Sequence, residues 1–282
     1  MERIRMPENR FLRGIYLMVR RYLSHNVGIQ SAALAFYLLF MLFPFLIFIS
    51  ALLGLLQLDV AAILGALGEI LPREVVEIAG VYLRYVRANP SMRLLVFGLA
   101  FSIYFPMRAT NALMRAVRTA YHLGPPRNAV VHRLKTLLYT VMLILTIVLT
   151  LVLMTVGDRL LGYAVIHFRL PAFLAELWGK LRFPAAAVAA NFALLFLYAL
   201  AQDDRQPWRN LLPGTLMALA AWMGLSFLYS LYVENFADYS VLYGSIGTII
   251  VVLIWLYMSA IVLIMGAELN GTLMSLRKER MK

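Results

Sequence analysis

The chain has 282 residues, of which 62% are hydrophobic and only 14% charged, with a mean hydropathy of +0.80. Ordinary soluble domains are about 45–50% apolar and about 25% charged, so this composition excludes water as the main solvent and requires lipid. The net charge of +12 then reads as a topology signal, because basic residues collect in cytoplasmic loops, and not as a nucleic-acid surface. With no cysteine in the chain, disulfides, thiolate metal sites and cysteine nucleophiles are excluded.

Taken in order, residues 1–30 carry six arginines and no cleavable signal shape, so the first apolar run is expected to be a retained span. Within 10–23, Phe11, Ile15, Val19 and Tyr22 share one helical face, while Arg10, Arg13, Arg20 and Arg21 take the other. Two readings stand: an interfacial helix lying on anionic lipid, or a juxtamembrane flank whose arginines set orientation. About 20 apolar residues cross the hydrocarbon core as a helix. Six segments approach this, at 31–56, 94–114, 136–157, 183–201, 211–233 and 246–268. They form a membrane domain over 31–270, followed by a basic cytoplasmic tail, 271–282. Residues 59–88 hold four acids among helically spaced apolar positions, which predicts amphipathic outer-side helices broken at Pro72.

The loops that would face the cytoplasm carry eighteen Lys and Arg, and the outer ones eight. The expected fold is an all-α integral membrane protein with six spans and both termini cytoplasmic. Pro44 and Pro106 lie inside spans, where each removes a backbone hydrogen bond and kinks its helix. Pro184 and Pro213 are expected at helix beginnings, where proline is tolerated.

Charges inside spans are costly and mark candidate sites. At 100° per residue, Tyr104, Arg108, Asn111, Arg115, Arg118 and His122 fall within an arc of about 80°. The stripe either guides a phosphate-bearing headgroup or is a cytoplasmic helix end with snorkelling arginines. Glu268 and Asn270 close the last span, with Gly266 and Ala267 allowing close helix approach. Glu268 is expected to pair with Arg108 or Arg115, as a clamp between spans or as a proton-coupling group. Asn191 is a candidate for an interhelical hydrogen bond. The turn Tyr243-Gly244-Ser245-Ile246-Gly247-Thr248 opens the last span on the outer side; Gly244 and Gly247 either admit a neighbouring helix or present amides to an anion.

The four histidines, His25, His122, His132 and His167, show no ligand spacing, and no nucleophile elbow, Walker loop or acid cluster for paired metals is present. No enzyme activity and no cofactor are expected. The expected partners are membrane lipids, anionic ones above all, with no nucleic acid; a second copy or other membrane proteins come after lipid.

Three stretches resemble the YihY/virulence-factor BrkB family of bacterial inner-membrane proteins: residues 32–54, the "NALMRAVRTAYH" run at 111–122, and 211–270 with its Pro-Gly, Tyr-Gly-Ser-x-Gly, Trp-containing span and Gly-Ala-Glu-Leu-Asn in order. The resemblance implies a multi-pass inner-membrane fold. It points to lipid or envelope-related transport in a family once labelled as a ribonuclease. The resulting expectation is a transporter or flippase of an amphipathic anion, such as a lipid or lipid-linked envelope precursor. A membrane scaffold for envelope machinery is the alternative, and a membrane-associated ribonuclease the last.

Overall fold

The computed structural model describes residues 10–56, 61, 64–65, 68, 73–88, 92–167, 173–203, 206–236 and 245–280. Every regular element among them is helical. The helices are α1 (Arg10–Ser24), α2 (Val27–Leu56), α3 (Arg73–Ala88), α4 (Met92–Ala120), α5 (Ala129–His167), α6 (Phe173–Leu200), α7 (Leu212–Phe236) and α8 (Ser245–Arg280), with a 3₁₀ turn at Trp208–Asn210 before α7.

Among the described residues, four helices are long and apolar enough to cross a membrane, in α5, α6, α7 and α8. The bent pair Leu12–Ser24 and Val27–Leu42, at 63°, brings the number up to five if it counts as one span. The bend falls at His25-Asn26, where Asn26 has φ 52°, a left-handed value that asparagine tolerates. Of the stretch 59–88, expected on the outer side, α3 covers residues 73–88, and most of 57–72 lies outside the described residues.

Helix ends depart from the apolar runs in an instructive way. Pro184 stands inside α6 and not at its beginning, because the helix continues upstream through Phe173–Arg182. That amphipathic stretch has helical propensity but too much charge to cross lipid. Likewise α8 continues past Glu268 to Arg280, so the first turns of the basic segment 271–282 are helical, with Gly271 and Thr272 buried. Pro44 and Pro106 lie inside α2 and α4, and Pro213 falls in the first turn of α7.

The packing centres on α8. Of the four spanning windows it is the most enclosed, 39% buried against 11–18% for the others, and it touches α1, α2, α3, α4 and α7. Its partnership with α7 is stitched by two reciprocal bonds, Trp222 Nε1 to Ser259 Oγ at 3.1 Å and Trp255 Nε1 to Ser226 Oγ at 3.3 Å. Lower down, a Cβ added to Gly214 would strike the Gly266 carbonyl, and one added to Gly266 would lie 2.7 Å from the Gly214 carbonyl and from Ala218 Cβ. Only glycine permits that crossing. Tyr198 donates to the Leu263 carbonyl at the same level.

Candidate functional site

Among the described residues, two polar assemblies and the exposed cation Arg108 stand out. The first assembly surrounds Glu268, which is 1% exposed. Its carboxylate accepts from Arg21 Nη1 at 3.2 Å and from His25 Nδ1 at 2.6 Å. Arg108 and Arg115, the expected partners, are not involved; α1 packs against α8 and supplies Arg21, and the bend that follows it supplies His25. The face of α1 therefore divides. Arg21 turns inward, while Leu12, Ile15, Val19 and Leu23 stay exposed, as lipid-facing residues do.

Arg21 is held from three directions. Nη1 also donates to the Ala120 carbonyl at 2.9 Å, and Nη2 to Ser275 Oγ at 2.9 Å and the Gly271 carbonyl at 3.3 Å. His122 Nε2 lies 3.2 Å from Nη2. Since a guanidinium only donates, that nitrogen must be the acceptor of a neutral imidazole. Desolvation first, and then the neighbouring Arg21 and His25, hold the His122 pKa below its usual value. A Cβ on Gly271 would lie 2.7 Å from Arg21 Nη1 and would overlap the Ala120 carbonyl, so the site needs glycine there.

The end of α4 explains how His122 arrives. The Leu123 amide bonds the Arg118 carbonyl at 2.9 Å and the His122 amide bonds the Thr119 carbonyl at 3.0 Å, the Schellman pattern that usually puts glycine at its left-handed position. His122 occupies that position with φ 54°. A left-handed residue with a Cβ costs about 1–2 kcal/mol, a cost offset here by its contact with Arg21 and its edge-on ring packing with His25, 5.3 Å between centroids.

The second assembly is built on Arg118, 4% exposed. Its guanidinium grips Asp203 through both oxygens at 2.9 and 3.1 Å, the Ala201 carbonyl at 2.8 Å and the Gly124 carbonyl at 2.7 and 3.0 Å. It pins the α4–α5 loop to the end of α6. These bonds hold the Asp203 carboxyl below the usual carboxylate range.

The remaining candidates are separated by the fold. Asn111 Oδ1 lies 3.0 Å from His132 Nε2. Asn270 bridges to the start of α7, accepting from the Gly214 amide and donating to the Leu211 carbonyl, both at 2.7 Å. Asn191 is buried and its Oδ1 lies 3.4 Å from Thr215 Oγ1. Tyr243 and Gly244 lie outside the described residues; Ser245 begins α8 and Gly247 is buried two residues on. Thus the stripe from Tyr104 to His122 is not one continuous surface: Arg118 and His122 are engaged in different assemblies.

Arg108 differs from all of these. It is exposed, donates to Tyr37 Oη at 3.1 Å, and its Cζ lies 5.3 Å from the Tyr37 ring centroid. Among the described residues no carboxylate is in ion-pair range of it. It stands beside an aromatic band on α2 and α4. Phe36 lies 4.5 Å from Phe40, Phe40 5.8 Å from Phe105, and Phe105 5.4 Å from Tyr104, between centroids. Phe36, Phe40 and Tyr104 are about half exposed, at 50%, 46% and 47%. Arg115, two helical turns further on, is exposed as well.

Arg21, His25 and Asp203 carry these assemblies without having stood out as partners in the sequence. A fully apolar span ending in a lone Glu268 demanded a cation, but 26 Lys and Arg offered too many choices.

Comparison with known proteins places the chain firmly. The model of the family described as Virulence factor BrkB matches residues 18–282. The ribonuclease-like protein YfkH of Bacillus subtilis is 31% identical over 258 residues, which is 92% of this chain and 94% of that protein. A UPF0761 membrane protein of Alkalilimnicola ehrlichii is 36% identical over 102 residues, 36% of this chain and 23% of that protein. The UPF0761 membrane protein PSHAa0171 of Pseudoalteromonas translucida is 34% identical over 77 residues, covering 27% of this chain and 26% of its own length. No solved structure matches.

Proposed function

The chain belongs to the Virulence factor BrkB family, and from that premise we propose that it moves an amphipathic anion, a lipid or lipid-linked envelope precursor, across a bacterial inner membrane. In this reading the protein has six spans and both termini are cytoplasmic, which the eighteen-to-eight distribution of basic residues supports. The observation that carries the proposal is Arg108. A cation inside a membrane helix is costly, about 2.5–3.5 kcal/mol at the helix centre on the most lenient scales and less toward its ends. Here it stands exposed on α4 with a phenol for company and, among the described residues, no acid in ion-pair range. An anion that comes and goes is the group such a position suits. The exposed aromatic band beside it offers a wall compatible with acyl chains, and Arg115 continues the charge toward the loop. The route therefore runs along the protein–lipid boundary of α2 and α4.

The scaffold alternative draws on the interior, where glycine contacts at Gly214, Gly266 and Gly271 bring backbones together. The ribonuclease-like name of the Bacillus relative has no counterpart we can assign; among the described residues no group of three or more His, Asp and Glu is placed to hold a metal. We read the chain as non-enzymatic.

Reconstitution into liposomes with labelled lipids tests the proposal. Redistribution of an anionic lipid across the bilayer is expected, and its loss in Arg108→Ala. No redistribution over a panel of anionic lipids, with Arg108→Ala matching wild type in cells, would leave the scaffold reading in its place.

A further inference from the structure

The polar stripe on α4 is broken at Arg118 and His122, but its first part stays open. Tyr104 is half exposed, and Arg108 and Arg115 are exposed as well. Seven residues turn an α-helix through about 700°, so the two arginines sit about 20° apart on one face and about 10 Å apart along the axis. Among the described residues neither arginine forms an ion pair.

The polar groups between and beside them offer donors. Asn111 lies between the arginines, and its Oδ1 is 3.0 Å from His132 Nε2. The acceptor end of that amide is spent on α5, and the NH2 end remains. Tyr37 Oη accepts from Arg108 Nη2 at 3.1 Å, so its own hydroxyl proton is left to give. On the side of Arg108 away from Arg115, Phe105 meets Phe40 of α2 at 5.8 Å between centroids and continues the face as an apolar wall.

Such a face discriminates between headgroups. An ammonium only donates, so a zwitterionic headgroup brings a cation that finds no carboxylate there. A phosphomonoester carries about two negative charges on one centre, and the single arginine at each level balances one. Charge left over at the lipid boundary is costly. A phosphodiester with an uncharged polar remainder has one charge and acceptor oxygens, which a guanidinium holds two at a time. Resting on the reading that Arg108 serves an amphipathic anion, we propose that this anion is a lipid with a single phosphodiester charge, captured at Arg115 ahead of Arg108. Arg115 then sets selectivity at entry, and the acyl chains lie along the aromatic wall.

The test uses the full chain, in nanodiscs for binding and in liposomes for movement. Native mass spectrometry with phosphatidylglycerol, phosphatidic acid and phosphatidylethanolamine as probes should show phosphatidylglycerol retained above the other two. Arg115→Gln should lower that retention about tenfold, the scale of a charge-assisted bond. Arg115→Lys, which keeps the charge, should lose less, and Arg209→Gln, an exposed cation elsewhere, should change nothing. In liposomes Arg115→Gln should raise the lipid fraction that gives half-maximal redistribution and leave the limiting rate near wild type, a split that a merely structural role does not produce. Equal retention of the three lipids, preference for either of the others, or equal retention of phosphatidylglycerol by wild type and Arg115→Gln overturns the inference. The two readings fail apart: selective retention without movement removes transport and leaves the site, whereas movement without selectivity removes the site's selectivity alone.

Discussion

Arg21 and Arg108 are the same side chain in opposite circumstances. Arg21 is 8% exposed and surrounded by a carboxylate, two carbonyls, a hydroxyl and an imidazole. Arg108 is exposed and has one phenol. The first joins α1, the end of α4 and α8 into one body, so its charge is consumed by the fold. The second stabilises nothing that needs a cation. In a membrane protein the partners of a charge, more than its depth, separate scaffolding from a group free to act on something else.

The largest effect should come from breaking the buried assembly. Glu268→Ala leaves Arg21 buried without its counter-ion, and about 3–5 kcal/mol of stability should be lost, read by chemical unfolding in detergent. Arg21→Ala should cost a similar amount, and the double variant clearly less than the two together, because the pair acts as a unit. Losses under about 1 kcal/mol for Glu268→Ala would place the anchor of α8 elsewhere.

Next comes His122, where backbone and side chain oppose each other. His122→Ala loses the imidazole and keeps the left-handed strain, whereas His122→Gly loses the imidazole and relieves it. Glycine should therefore be more stable than alanine by about 1 kcal/mol. Equal stabilities would mean that the end of α4 is not held in the Schellman geometry.

A smaller effect should appear with pH. Folding lowers the pKa of His122, so between its folded value and the unfolded value of about 6.5 the unfolded chain binds more protons. Stability must then rise with pH across that window and fall as the solution is acidified through it. Unfolding midpoints measured from mildly acidic to neutral pH should show this slope, and His122→Gly should flatten it.

The smallest change in stability belongs to Arg108→Ala, within about 0.5 kcal/mol, as for surface substitutions generally. Lipid redistribution in liposomes should nevertheless fail. A variant that unfolds readily would move Arg108 into the same class as Arg21 and erase the distinction.

Much of the helical plan was legible. The apolar segments at 94–114 and 136–157 fall inside α4 and α5, and 211–233 matches α7 to within one residue at its start, because long apolar runs and 3.6-residue periodicity are local properties. Helix ends were less so. Hydropathy marks where lipid is, whereas a helix continues as long as its backbone bonds and propensities allow, which is why α6 begins ten residues before the apolar run at 183 and α8 outlasts Glu268 by three turns. Of the site, the buried carboxylate, Asn270 and the close approach at Gly266 were visible from residue type and position. The identity of each partner was not, since Arg21 and Glu268 lie 247 residues apart and any of several arginines satisfies the same electrostatic demand.

The amino-acid order alone determined the solvent, the positions of the apolar segments and the bias of basic residues among the loops, since these depend on transfer free energies summed over neighbours in the chain. Only the tertiary structure decided which cation is spent on Glu268, which on Asp203 and which is left facing outward on α4. Coulomb and hydrogen-bond partners are chosen by distances of about 3 Å in space, and those distances exist only after α1 has packed against α8.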